Sequence, residues 1–594
     1  MCGIICLSEN FKNRLDMVFK LLNHRGPDKK NFICSNDKII GHNLLQIRGD
    51  IESSIQPKYA KGKKYILAFN GQIYNTDELK KQFSIDKSID LDTEILVKLI
   101  DKIGIEFIKY IKGMFAILLY DTEQNKIHLF RDPSGQKHLY YHFNKGKLII
   151  CSEIKPILNI IKDFNLNREN VLSNLILGYP IDSSTIYNNI KRVLPGEHVT
   201  LDQTYKINKN FFPSKKISFP ENDPAFAINQ TVKNHLLTKK KITINLSGGL
   251  DSNIILYEAL KFNPEINVFS THFESDDAIS NHDYNLAKQI SEFYGLKLHT
   301  THISFENYLD NFESSFLHIE EINRNINNPV YYLNYKNQKE NNFRSIISGD
   351  GGDEIFIGYD YYRRAKYYIE FFDKIKTSKT LSTFLWFKEY VRYDSFDKNF
   401  IKYDLLDKIK KSFKIFKNSQ IAKKFYNNFY NYDLGHAQKF FCFLDQFNWL
   451  SNEIFLRADK LGMKNNLEVR SPFSDFDLRS YFLDRMDKSK FREKINKPEI
   501  RQAYQGKLNP IITENLKKTG WSIPKEWLKN DQLKEKIISI IPDHNCEIIK
   551  WKNIKDMIKK NKLSLQNKKI YNLISLAIIK NGTSKVINNE ENYN

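Results

Sequence analysis

Two glycine-bounded turns hold the residues whose types and spacing suggest chemistry. Residues 241–262 read KITINLSGGLDSNIILYEALKF. A β-branched run from Ile242 to Leu246 ends in Ser247-Gly248-Gly249-Leu250-Asp251-Ser252, and the pattern turns helical at Ile254, Ile255 and Leu256. Glycines between a strand and the first turn of a helix let the main chain approach a polyphosphate, and the helix N-terminus favours an anion. No Gly-Lys-Ser/Thr ending follows, so this is not the loop that grips a γ-phosphate. Asp251 instead offers a hard carboxylate ligand for Mg²⁺. An ordinary glycine-rich strand-to-helix connection is the competing reading of this turn alone. The second turn is Ser348-Gly349-Asp350-Gly351-Gly352-Asp353-Glu354. Its three carboxylates repel one another unless a cation or basic partner sits among them. The spacing lacks the rest of a calcium-binding EF-hand pattern.

A third candidate lies at the start of the chain. Cys2 is followed by Gly3-Ile4-Ile5. Removal of Met1 would leave a thiol beside its own α-amine, whose pKa of about 7.7 to 8.0 suits it as a general base. A buried or acylated cysteine is the alternative for this position alone. The segments that follow narrow the choice: His24-Arg25-Gly26-Pro27-Asp28, Asn70-Gly71-Gln72-Ile73-Tyr74-Asn75 after a strand from Tyr65 to Phe69, and Leu91-Asp92-Thr93-Glu94 with Asp92 as a helix N-cap. Phe130-Arg131-Asp132-Pro133-Ser134-Gly135-Gln136-Lys137 and Ser152-Glu153-Ile154-Lys155 complete the series.

Together with Cys2, this series resembles the class II glutamine amidotransferase domain of the N-terminal nucleophile hydrolases. The turn at Ser247 resembles the pyrophosphate loop of the ATP pyrophosphatases. Both glycine turns, followed by Phe455-Leu456-Arg457-Ala458-Asp459-Lys460-Leu461-Gly462-Met463, Leu467-Glu468-Val469-Arg470-Ser471-Pro472-Phe473, Lys497-Pro498 and Lys518-Thr519-Gly520-Trp521, resemble the synthetase domain of glutamine-hydrolysing asparagine synthetases. The resemblance implies an α+β domain of sandwiched antiparallel sheets with helices, then an α/β parallel-sheet domain with a helical C-terminal part. It implies that Cys2 attacks glutamine, with Asn70 and Gly71 as oxyanion donors and Gln72, Asp92 and Arg48 around the glutamine. It implies an ATP site at Leu246, Ser247, Gly248, Gly249, Asp251, Ser252, Ser348 and Gly349, with Mg²⁺ on Asp251 and Asp353. Asp350 and Lys518 would act in catalysis, Asp350 near the acyl-adenylate and Lys518 on the pyrophosphate.

The sequence departs from the family at three points. His42-Asn43-Leu44-Leu45 has no arginine where the family usually grips the glutamine α-carboxylate, and Arg48 stands four residues on. If the strand continues, Arg48 lies about 13 Å from that place, which predicts weakened glutamine affinity. Gln72 replaces a common glutamate, and Asp350 replaces another, drawing its carboxylate back by about 1.5 Å. Aspartate is the expected acceptor, which makes asparagine the product. The Asn-rich stretch Glu320 to Tyr332 and Asp350 keep open another carboxylate such as a sugar uronate, and a non-catalytic regulator is the remaining alternative.

These residues need elements to hold them. At 594 residues the chain exceeds one core. Strands at Asn267–His272, Lys297–Ile303 and Phe343–Ser348 and a helix at Asp283–Tyr294 alternate as a parallel sheet requires. The expected division is a glutaminase domain over 1–205, a linker over 206–224, a synthetase domain over 225–580 and a disordered tail over 581–594. Aromatic-rich residues 360–440 read as helical core. The net charge of +21 is spread along the whole chain rather than clustered, which argues against a nucleic-acid partner. Six cysteines without a CxxC pair indicate neither zinc nor a disulfide framework. No apolar run spans a membrane and the N-terminus is no signal peptide, so a cytoplasmic enzyme is expected. A homodimer is compatible with this reading.

Overall fold

The computed structural model describes residues 2–144, 146–180, 182–202, 207–211, 219, 223–359, 362, 442, 445–485, 495–514, 522–546, 548–567 and 569–590. Segment 360–440, apart from Tyr362, lies outside the described residues, as does Lys518.

In the first half, Gly3–Ser8 is buried throughout, and its apolar side chains divide between two cores. Ile4 and Cys6 pack between two sheets, while Ile5 and Leu7 point to the opposite face. Tyr65–Ile73 does the same: Ile66 and Ala68 face inward, and Leu67 and Phe69 face outward. Strands covered on both faces need such continuous apolar runs, and the two-residue period fixes their register. The first sheet runs Lys191–Arg192, Tyr140–Asn144, Lys147–Cys151, Gly3–Ser8, Lys38–Leu44, Lys29–Ser35. The second runs Ile207–Phe211, Glu197–Leu201, Lys126–Arg131, Gly113–Asp121, Tyr65–Ile73, Lys58–Ala60. All pairings in both are antiparallel. The helix Asp92–Ile103 covers the second sheet with Ile95, Leu96, Leu99 and Ile100, one face of a 3.6-residue period. The helices Leu15–Leu21 and Ile154–Ile161 cover the first. This is the expected sandwich of antiparallel sheets between helices.

The second half is built on a parallel sheet in the order Leu298–Ile303, Asn267–Phe273, Ile242–Asn245, Ser345–Ile347, Glu468–Arg470. After Ile242–Asn245 the chain adds two strands on one side, then returns to add Ser345–Ile347 on the other. Ile242 pairs with Ser345 and Ile244 with Ile347. The two glycine turns therefore leave neighbouring strands at the point where strand order reverses, where a crevice opens in such sheets. Helices Asp531–Ile540, Trp551–Lys559 and Ile570–Glu590 follow, and they share a core with Ile157, Val171 and Leu175 of the first half. Among the described residues no helix is long and apolar enough to cross a membrane.

Several expectations need correction. Ile207–Phe211 is an edge strand paired with Glu197–Leu201, so the first half extends past residue 205; hydrogen bonds to that neighbour substitute for a weak apolar pattern. The last helix runs to Glu590, ten residues into the stretch expected to be disordered. Asp92 is the first residue of its helix, with Leu91 at the N-cap. Glu468–Arg470, to which the sequence pattern assigns no strand, is the fifth parallel strand.

Candidate active sites

The first site forms where Gly3–Ser8 and Tyr65–Ile73 bring their ends together. The Cys2 backbone N–H donates to Asn70 Oδ1 at 2.8 Å. That bond turns the amide so that Asn70 Nδ2, buried and without a partner, is a donor left over for a ligand. Next to it, a Cβ on Gly71 would lie 2.1 Å from Met114 O, so only glycine lets the two strands meet there. Asp92 is buried, its Oδ1 accepting from Thr93 N at 2.9 Å and its Oδ2 from Ile73 N at 3.3 Å. Burial raises the Asp92 carboxyl above its ordinary value, and Arg48 works against that shift.

The strand does not continue to Arg48. The strand ends at Leu44 because Asp28 captures the chain beyond it: Asp28 N donates to Leu44 O at 3.0 Å and Gln46 N to Asp28 Oδ2 at 2.8 Å. The chain turns, and Arg48 lines the same cavity as Cys2, Leu44, Gln72 and Asp92. Its Nη2 donates to Asp90 O at 2.8 Å, while its Nη1 is buried with no partner.

His42 is a residue that sequence reasoning quoted only as a landmark. Its Nε2 lies 3.1 Å from Phe69 O, which as an acceptor requires the proton on that nitrogen, so the Nδ1 of a neutral ring carries a lone pair. Nδ1 is buried without a partner. Burial pushes the Cys2 thiol up, but His42, the positive amino terminus and a backbone hydrogen bond at Leu45 together outweigh it, and the thiol falls to about 7. Arg25, fully buried, donates from Nε to Cys2 O at 3.3 Å and pairs with Glu153 at 3.0 Å and Asp459 at 3.0 Å. Glu468 of the second half also lines this cavity, and its neighbour Arg470 donates to Gln72 Oε1 at 3.4 Å.

The second site is a cavity of about 350 Å³ at the reversal point of the parallel sheet. Leu246, Ser247, Gly248, Gly249, Asp251 and Ser252 line one side, and Ser348, Gly349, Asp350 and Asp353 the other. Ser252 Oγ lies 3.0 Å from Ser247 Oγ and donates to Ser247 O at 2.9 Å, which locks the turn. A Cβ on Gly352 would lie 2.5 Å from Asp251 Cγ, so this glycine leaves the room that Asp251 occupies. Lys497 Nζ lies 2.5 Å from Asp251 Oδ2 and 2.7 Å from Asp353 Oδ1. The carboxylates thus converge on one ammonium, which they hold above its ordinary pKa despite burial. Lys497 sits at φ 56°, a left-handed conformation that costs about 1 to 3 kcal/mol and holds the residue in the cavity wall. It was noted in sequence only as part of a Lys-Pro pair. Asp350 is tied back, accepting from Ser348 Oγ at 2.8 Å; burial raises its carboxyl, with Arg457 opposing.

Two oxygen-bearing side chains meeting at one cationic position match what Mg²⁺ takes from a protein when phosphates supply other ligands. Among the described residues no group of three His, Cys, Asp or Glu side chains converges as a metal site. A link between the two cavities is visible in Glu468–Arg470: Glu468 lines the first, and Ser348 N, beside the second, donates to Arg470 O at 2.9 Å.

Residues 1–212 match the family described as glutamine amidotransferase domain, and residues 226–578 match the family described as asparagine synthase. The chain is 28% identical over 564 residues to "Asparagine synthetase [glutamine-hydrolyzing] 1" of Bacillus subtilis, covering 89% of this chain and 86% of that protein. It is 26% identical over 369 residues to "Asparagine synthetase B [glutamine-hydrolyzing]" of Escherichia coli, covering 58% and 61%. To "Asparagine synthetase [glutamine-hydrolyzing] 1" of Arabidopsis thaliana it is 26% identical over 388 residues, covering 61% of each.

Proposed function

The chain belongs to the asparagine synthase family of carbon–nitrogen ligases, and we propose that it transfers the amide nitrogen of glutamine to a carboxylate activated by ATP, with aspartate as the leading acceptor. The observation that carries the first half-reaction is the pair of buried, unsatisfied donors, Asn70 Nδ2 and Arg48 Nη1, around a thiol of lowered pKa. The Cys2 thiolate attacks the glutamine carboxamide carbon. Charge on the carbonyl oxygen is met by Asn70 Nδ2 and the Gly71 N–H, donors whose single loss typically costs about 3 to 4 kcal/mol. Collapse expels ammonia and leaves a thioester, which water hydrolyses to glutamate. Once Met1 is removed, the α-amine of Cys2 relays the thiol proton to the leaving nitrogen. Asp92 takes the glutamine α-ammonium and Arg48 its α-carboxylate.

In the second cavity an acceptor carboxylate oxygen attacks the α-phosphorus of ATP, and pyrophosphate leaves. Ammonia then attacks the acyl carbon, and AMP departs with formation of the amide. The turn from Leu246 to Gly249 and Ser252 cradles the phosphates, and Ser348 and Gly349 border the adenosine. Asp251 and Asp353 would hold Mg²⁺, which neutralises charge on the pyrophosphate. Lys497 keeps the two carboxylates together, Asp350 acts beside the acyl group, and Lys518 stabilises the leaving pyrophosphate. Ammonia travels inside the protein, because water at neutral pH would protonate it.

Asp350 is drawn back onto Ser348, and the neutral side chains of Tyr331 and Asn334 line the same cavity. That supports a second reading, amidation of a sugar uronate. A screen of carboxylates with ATP, Mg²⁺ and glutamine, read by pyrophosphate release, separates the two. Aspartate-dependent release supports asparagine synthesis, and release with a uronate alone rejects it.

A further inference from the structure

A third cavity, of about 600 Å³, opens between the two halves and belongs to neither site. Lys336 and Lys339 reach it from the helix Asn328–Glu340, Lys464 from the end of the helix Phe455–Lys464, and His24 from the first half. None of the three lysines forms an ion pair among the described residues. Lys464 is half-buried, and burial together with Lys155 and Lys339 pushes its ammonium below the ordinary value. Glu340 lines the rim, while Glu153 lies behind His24 and is already engaged by His24 and Arg25. Lys336 and Lys339 are exposed at the mouth and Lys464 is half-buried behind them, with Glu153 the opposing charge it feels; an anionic ligand among the three would add the counter-charge that Glu153, already shared by His24 and Arg25, supplies only in part.

We propose that this cavity binds a small polyanion, bearing phosphate or several carboxylates, as an effector felt at Cys2. The route is short. His24 Nε2 lies 3.0 Å from Glu153 Oε1, the same oxygen that accepts from Arg25 Nη1 at 3.0 Å, and Arg25 Nε holds Cys2 O. Asn466 Nδ2, on the cavity wall, donates to His24 O at 2.7 Å. An anion that engages His24 competes with Glu153 for it and changes how Arg25 holds the thiol's backbone. The effector site rests on charge and cavity shape alone; its effect on turnover also rests on the glutaminase reading of Cys2.

The test is calorimetric titration of the full chain with citrate and, separately, inorganic phosphate at constant ionic strength. It is repeated on the double variant Lys339→Ala/Lys464→Ala, whose fold is checked by ammonium-dependent pyrophosphate release and melting temperature. Binding of one anion to the native chain, weakened by at least about tenfold in the variant, supports the site and tells phosphate from carboxylate. That arm stands whether or not the chain hydrolyses glutamine. The bound anion should also change kcat/KM for glutamine by about fivefold in the native chain only. Equal binding by both proteins, or none by the native chain, overturns the site; binding without any change in glutaminase rate overturns its effector role.

Discussion

Cys2 is buried, yet its thiol lies near 7 because His42, first among the lowering groups, acts with the positive amino terminus and a Leu45 hydrogen bond against the desolvation. In the proposed reaction the nucleophile is the thiolate, so kcat/KM for glutamine should rise with pH and level off above a midpoint near that value. Replacing His42 with Gln keeps a hydrogen-bonding side chain and removes the imidazole. We expect the midpoint to move up toward the ordinary thiol value of about 8.5, measured as the pH profile of glutamate release. An unmoved midpoint would assign the lowered pKa to another group. Arg48 makes a separate prediction. Its unsatisfied Nη1 is a charged donor, and such bonds are worth about 1.5 to 3 kcal/mol. Arg48→Leu should therefore raise KM for glutamine by at least about tenfold with a small effect on kcat, and ammonium-dependent activity should be unchanged. An unchanged KM would mean that Arg48 does not touch the substrate.

At the scale of elements, Asp28 decides where a strand stops. By taking the Gln46 N–H it ends the strand at Leu44 and turns Arg48 toward the pocket. Asp28→Ala removes that acceptor, and KM for glutamine should rise by about 1 to 2 kcal/mol in equivalent affinity while Cys2 stays in place. A wild-type KM would show that the turn holds without it. The strand, turn and helix around Ser247 were legible in sequence, since their period changes sharply from two to 3.6 and glycines mark the change. The place of Arg48 was not, because it depends on a side chain twenty residues earlier in sequence. Lys497 was equally hidden: its role depends on Asp251 and Asp353, which are far from it in sequence and meet only in the fold. The edge strand Ile207–Phe211 carries too few apolar residues to announce itself and is held by backbone pairing.

At the scale of the molecule, the two halves are joined by buried charge as well as by a shared core. Arg25 of the first half meets Asp459 of the second, and Arg192 meets Glu321, with both arginine side chains fully buried. Breaking one partner of such a pair leaves an uncompensated charge and costs about 3 to 5 kcal/mol. The arrangement fixes Cys2 relative to the helix Phe455–Lys464, which also presents Arg457 to Asp350 through its charge. The proposed passage of ammonia from one site to the other requires such a fixed relation. The direct test is acceptor-dependent pyrophosphate release by the native chain and by Cys2→Ala, each supplied with glutamine or with ammonium. The account predicts that the native chain uses both nitrogen sources and that Cys2→Ala keeps ammonium and loses glutamine. Glutamine-driven release by Cys2→Ala at the native rate would contradict it.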